Sequence, residues 1–293
     1  MGIDLHNLNF LAHAQDLGVS YERTLAIGRQ ALFVEDRALE THRRRRGLPP
    51  LLGDRRYFEP LLAQWFGGQE VDAVDASPYE GAKLIHDMNL PWSDAASRGR
   101  YDAVLDFGCL EHVFDFPTAW RNCVDVCRVG GHVLHALPAN NLSGHGFYQF
   151  SPELFFNLYR PERGFALKAL YFALRADGEH WWRVANPLQV RRRVNLCNGH
   201  EVYLLALAQK LREPGALAAP QQSDYAESEW IGESAAPPPG GPSRWQRPLA
   251  ALGVLDVARR ARERWRALGS AGLTLPAPDY ERLDVAALVQ RRP

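Results

Sequence analysis

The sequence predicts an α/β fold built on a mostly parallel sheet with an antiparallel edge. Three observations carry that prediction. Between residues 23 and 138 short apolar runs alternate with stretches of helical spacing, the pattern of strands joined by crossover helices. After residue 164 two apolar runs follow each other with no convincing helix between them, as antiparallel neighbours do. From residue 214 the composition shifts to Pro, Ala, Ser and Gly with few large apolar residues, so a folded domain is expected over 1–213, with its core at 21–211.

In order along the chain, residues 1–20 read as a helical lead-in with Leu8, Leu11 and Leu17 at apolar spacing. Residues 23–28 (RTLAIG) form a first strand bounded by Gly28. Residues 31–40 read as helix, followed by the basic cluster 43–46 and Gly47-Leu48-Pro49-Pro50. Tyr57, Leu61, Leu62, Trp65 and Phe66 mark the buried face of a second helical stretch, which Gly67-Gly68 ends. Residues 70–74 (EVDAV) are the second strand, residues 79–82 a helix start after the Ser77-Pro78 turn, and residues 83–86 a brief third strand. The fourth strand is 103–107, and the fifth follows the Gly130-Gly131 turn and ends at Pro138.

Ser151-Pro152-Glu153 opens a helix, with Ser151 as N-cap and Pro152 at the first helical position. Residues 164–173 and 201–211 are the last two strands; His180, Trp181, Trp182 and Arg183 between them are candidates for a pocket wall or for ordinary packing. Residues 214–243 are expected as a flexible linker. Residues 244–293 are expected as a basic helical tail. In it Leu252, Leu255, Ala258, Ala261, Trp265 and Leu268 share a helix face flanked by five arginines, and 280–289 form a further short helix.

Thirty-four basic residues balance thirty-four acidic ones, so nothing global points to nucleic acid or a membrane surface. No run is long enough to span a bilayer, and residues 1–10 lack the layout of a signal peptide, which points to a cytoplasmic protein. Cys109, Cys123, Cys127 and Cys197 show no zinc-like pairing. His132 and His135 lie an odd number of residues apart on a strand and face opposite ways, so they do not join His145 in a metal site, and no metal is expected.

Residues 101–138 read YDAVLDFGCLEHVFDFPTAWRNCVDVCRVGGHVLHALP. Leu110-Glu111-His112-Val113 after a strand, then a helix, then Arg128-Val129-Gly130-Gly131-His132-Val133-Leu134 resemble the back half of class I S-adenosylmethionine-dependent methyltransferases, particularly the type 11 branch. The resemblance implies a doubly wound, Rossmann-like sheet of seven strands whose last strand inserts antiparallel, and S-adenosylmethionine as cofactor. The chain departs from the family at the glycine-rich loop after the first strand. Here it reads Ala26-Ile27-Gly28-Arg29-Gln30, a degenerate version in which only Gly28 allows close backbone approach.

Ligands of such sheets sit outside the carboxyl ends of the strands. Asp75, just after the second strand, is placed to take both ribose hydroxyls, with a turn or capping role as an equal alternative. Asp87-Met88-Asn89-Leu90-Pro91 resembles the family's Asp-x-x-x-Leu-Pro stretch, which makes Asp87 and Met88 adenine contacts by resemblance. Phe107 is expected beside the cofactor, Gly28 and Arg29 at its methionine end. His112 is the first candidate base and His145 the second, since imidazole titrates near neutrality. Asn140, Tyr148 and Gln149, in the loop before Ser151, are candidate substrate contacts.

The function expected on this basis is methyl transfer to an oxygen or nitrogen of a small molecule or glycan, with no nucleic-acid partner. The rival is a catalytically silent scaffold, with a protein partner or a peripheral membrane contact through 248–268. A nicotinamide dehydrogenase fits less well, because Gly28-Arg29-Gln30 lacks that fingerprint too.

Overall fold

The computed structural model describes residues 2–196, 198–215, 219–226 and 279–290. Of the expected linker at 214–243, residues 214–215 and 219–226 are described. Residues 223–226 form a helical turn instead of flexible chain, because the Ser223 amide donates to Glu153 at 2.7 Å and Asp224 pairs with Arg193 at 2.6 Å. The other linker residues and the basic amphipathic segment at 248–268 lie outside the described residues. The chain opens with β1 (Gly2–Ile3) and α1 (Leu5–Asp16), which Asp4 caps by accepting from the Asn7 amide. Next come β2 (Arg23–Ile27), β3 (Ala31–Leu32), α2 (Asp36–Arg46), α3 (Glu59–Phe66), β4 (Glu70–Asp75), β5 (Leu84–Ile85) and β6 (Tyr101–Phe107). A 3-10 turn at Leu110–His112 leads to α4 (Phe116–Val126), β7 (Cys127–Asn140), α5 (Pro152–Leu158) and β8 (Phe165–Leu174). β9 (His180–Val184), α6 (Pro187–Val190), β10 (Val202–Lys210), α7 (Ser223–Ala226), β11 (Tyr280–Asp284) and α8 (Val285–Leu288) complete the described elements.

The main sheet has nine strands in the order β5-β4-β2-β6-β7-β10-β8-β9-β11. From β5 to β7 every pairing is parallel, while β10 runs antiparallel to both β7 and β8. Strand order therefore reverses between β2 and β6, and the last of the seven expected strands is the one that is turned round. β9 and β11, both paired antiparallel, widen the sheet beyond the expected seven.

Apolar residues pack on both faces. One cluster joins α1 and α3 to the sheet through Phe10, Leu61, Leu105 and Leu205. The other joins α4 and α5 through Trp120, Val124, Phe155 and Val104. β6 lies between them and is buried at all seven residues, as a central parallel strand should be. Ser151 caps α5 as its sequence implies, accepting from the Glu153 amide at 3.2 Å with Pro152 in the first turn. Lys210 ends β10 fully buried. Its ammonium donates to the carbonyls of Val124 (3.0 Å) and Cys127 (2.8 Å) at the end of α4 and pairs with Glu213 (2.9 Å).

Three local expectations are corrected and one left open is decided. Residues 31–40 are helical only from Asp36, because Ala31 and Leu32 pair in parallel with Gly2 and Ile3. Residues 79–82 form a turn, since Gly81 adopts a left-handed φ of 72°. Residues 280–289 supply β11 and the single turn α8 instead of one helix, because the backbone of 280–284 pairs with β9. Trp181 and Trp182 are packing residues: alternation along β9 sends them into the two opposite apolar clusters, both fully buried.

Candidate functional site

The carboxyl ends of β2, β4, β5, β6 and β7 share one rim of the sheet. After β2, Gly28 takes a φ of 76°, and its amide extends the ladder to the Val74 carbonyl at 2.7 Å. Gln30 is fully buried and folds back, its amide donating to the carbonyls of Ile27 (3.1 Å) and Gly28 (3.0 Å). Arg29 turns aside to Glu59 at 2.7 Å and to the Glu80 carbonyl at 2.7 Å, stacked 3.9 Å above the Tyr57 ring.

After β4 the half-buried carboxylate of Asp75 receives one long contact, from the Ser77 amide at 3.4 Å. Asp87 is exposed and accepts from the backbone and side chain of Asn89 (2.9 and 2.8 Å), bonds that hold its carboxyl below the usual range. Met88 is buried in the cluster beneath, near Trp92.

The rim beyond β6 is more tightly organised. Asp106, with no exposed surface, accepts from the amides of Cys109 (3.2 Å) and Leu110 (3.1 Å) through one oxygen and pairs with His135 Nδ1 (2.7 Å) through the other. His135 Nε2 lies 2.6 Å from the Tyr159 hydroxyl, which accepts from the Trp120 indole at 3.0 Å. This chain of bonds fixes the turn that carries Glu111 and His112. A second loop closes over that turn: the amides of Phe147 (2.7 Å) and Tyr148 (3.3 Å) donate to the Glu111 carbonyl. Gly146 makes the approach possible, with a φ of 79° and a position where a Cβ would lie 2.7 Å from that same oxygen.

The two loops bring three side chains together. Glu111 is fully buried, and neither carboxylate oxygen has a hydrogen-bond partner. His145 Nε2 stands 3.3 Å and His112 Nε2 3.8 Å from its Oε1, with the two rings 5.1 Å apart. The side chains of His112 and His145 are 46% and 52% exposed, so the cluster opens to solvent on its histidine side. Burial first, and then the charge of Asp106, push the Glu111 carboxyl up to about 8. Burial first, with the charge of His145 beside it, lowers His112 from its ordinary value.

A cavity of about 700 Å³ borders this cluster, and Phe107, Gly108, Glu111, His145, Asp4 and Asn7 are among the residues that line it. Of the residues predicted from sequence, Phe107 and His145 line it and His112 sits beside it. Gly28, Arg29, Asp75, Asp87 and Met88 belong to the neighbouring part of the rim. The remaining three hold the loops. Asn140 bonds to Asn198 at 3.3 Å, the Tyr148 hydroxyl donates to the Phe114 carbonyl at 2.6 Å, and Gln149 accepts from the Leu142 amide at 2.8 Å. Glu111 is the functional candidate that sequence reasoning passed over. Its signal was an acidic residue next to a histidine directly after a buried strand.

No family model matches the chain, and no curated protein does. Solved structures similar to it include the 1,6-didemethyltoxoflavin-N1-methyltransferase of Burkholderia thailandensis, with bound 1,6-didemethyltoxoflavin and S-adenosylhomocysteine. That pair shares 16% identity over 71% of this chain and 78% of the other, with a TM-score of 0.40. The N-methyltransferase NodS of Bradyrhizobium japonicum WM9, in complex with S-adenosylhomocysteine, shares 13% over 71% and 86%, with a TM-score of 0.39. The branched-chain polyamine synthase of Thermus thermophilus shares 15% over 72% and 57%, with a TM-score of 0.37.

Proposed function

We propose that the chain transfers a methyl group from S-adenosylmethionine to an oxygen or nitrogen of a small molecule or glycan. The observation that carries this reading is the sheet: strand order reverses between β2 and β6, and β10 is inverted between β7 and β8. That arrangement is the one implied by the motifs at 101–138, and ligands of such sheets bind at the carboxyl ends beside the reversal.

The residues on the rim fit the cofactor. Asp75 has a carboxylate engaged by one long contact only, available for a pair of ribose hydroxyls. Asp87 and Met88 lie at the end of β5 where the adenine is expected, and Phe107 closes the side toward the cavity. Gly28 offers backbone without a side chain; Arg29 meets the cofactor's carboxylate only by leaving Glu59. The bound cofactor supplies an electrophilic methyl group, so the protein's task is alignment of the nucleophile. His112 and His145, beside the cavity, hold the nucleophile's oxygen or, with no cation between them, take its proton.

A second reading, a silent module of the same fold, is favoured by one observation: the Gln30 side chain fills the loop where the family keeps glycines. Isothermal titration with S-adenosylmethionine and S-adenosylhomocysteine separates the two. Micromolar saturable binding, weakened in Asp75→Ala, is the expected result. No heat and no thermal stabilisation by either ligand transfers the assignment to the silent module.

A further inference from the structure

We propose that Glu111, His112 and His145 form a binding site for a divalent transition-metal cation such as Zn²⁺. One oxygen of Glu111 and one nitrogen of each histidine lie within 4.8 Å of one another. Bonds of 2.0–2.2 Å in tetrahedral array put neighbouring ligand atoms roughly 3.4 Å apart, and the two histidine nitrogens stand 3.3 and 3.8 Å from the carboxylate oxygen. Two imidazoles and one carboxylate are also a donor set that suits zinc and its first-row neighbours over magnesium or calcium.

The second observation is the state of Glu111. Its side chain has no exposed surface and neither oxygen has a hydrogen-bond partner, which leaves a buried acceptor with unmet capacity that a cation would fill. Among the described residues Arg175 is the sole Arg or Lys of the cavity wall, and it is paired with Glu201 at 2.7 Å. A simple carboxylate–imidazole dyad would satisfy one oxygen through one good bond. Here both histidine nitrogens converge on the same oxygen without the alignment of a hydrogen bond, which leaves a gap between three donors.

The frame around the gap is rigid. Asp106 pins the turn before Glu111, and the Phe147 amide and Gly146 clamp the loop that bears His145. Such outer contacts hold metal ligands in register. The half-exposed imidazoles give the ion access from solvent. A fourth position on the cavity side takes water or an oxygen of a substrate hydroxyl or carboxylate. The role of that position rests on the methyl-transfer reading, whereas the site itself does not.

The test uses the full chain without a histidine tag, stripped with a chelator. Zn²⁺ is titrated calorimetrically and Co²⁺ by visible absorption. The expected result is one equivalent bound at micromolar or tighter affinity, with the d–d bands of a four-coordinate cobalt centre. Removal of an outer-shell partner of a metal site costs roughly 10–100-fold, so loss of a ligand in His112→Ala or His145→Ala should weaken binding by about 100-fold or more. Both side chains are half exposed, so these variants are expected to fold, which thermal melting verifies. Failure of the wild type to bind Zn²⁺ overturns the proposal, and so does unchanged affinity in both variants. S-adenosylmethionine titrated into the same metal-free samples keeps the two hypotheses apart. Cofactor binding without Zn²⁺ binding sinks the cation site alone, and the reverse sinks the methyl-transfer reading alone.

Discussion

Asp106 and Glu111 stand on one short stretch of chain, both without exposed surface and both beside histidine, yet they are opposites. Asp106 is saturated: two backbone amides and His135 face it, and His135 is backed by Tyr159 and Trp120. Glu111 has two empty oxygens and two histidines that reach toward it from the solvent side. A buried carboxylate with both oxygens bonded holds structure together. One left unpaired at a cavity wall keeps acceptor capacity that the fold itself does not use.

Three measurements would break or sharpen that contrast. The largest effect is expected from Asp106→Ala, which strands two amides and a buried histidine at once. Removing one partner of a buried pair costs about 3–5 kcal/mol, and urea unfolding at neutral pH reads it directly. A loss under about 1 kcal/mol would mean that the network is ornamental to the fold.

The next effect is an acid limb. His42 is buried, donates from Nδ1 to Asn9 at 2.9 Å, leaves Nε2 unpartnered and stacks on Trp65 with no carboxylate partner. Burial first, then Arg46 and Arg45, depress it to about 4. Its folded form stays neutral while the unfolded chain takes up a proton below about 6.5, so its contribution is complete above that pH and is lost as pH falls toward 4. The loss reaches on the order of 3 kcal/mol at the bottom of that window. His42→Leu should make stability less steep between pH 6.5 and 4. His132 and His6, lowered in the same direction by burial, leave part of the slope in place. An unchanged slope in the variant would show that His42 is protonated in the folded state.

The smallest effect is expected from Glu111→Gln. It removes a carboxyl that no bond supports, so the variant should unfold within about 1 kcal/mol of the parent or later. A loss above about 2 kcal/mol, measured in the same urea series, would reveal partners for Glu111 and erase the contrast with Asp106.

The sequence disclosed the periodic parts of the molecule. Residues 103–107 are apolar at nearly every position because β6 is buried on both faces, and Ser151-Pro152 carries a local capping signal that needs no tertiary partner. The antiparallel relation of 164–173 and 201–211 followed from the lack of a crossover-length helix between them, where the structure has only β9 and the four-residue α6. What stayed hidden depends on distant segments. Ala31–Leu32 becomes a strand only because Gly2–Ile3 lies beside it, and 280–284 only because β9 offers an edge. The burial of Glu111 is of the same kind. It is imposed by the loop around Gly146, far along the chain, and no window around Glu111 contains that information.

The sealing of Lys210 has a practical consequence. The sequence holds three lysines, and Lys83 and Lys168 are exposed whereas Lys210 is not. An amine-reactive label applied to the native protein should therefore mark the first two and spare the third. Acylation at Lys210 then becomes a clock for the parting of β10 from α4, readable peptide by peptide in a mass spectrometer. Ligands that clamp the sheet can be ranked by how far they slow it.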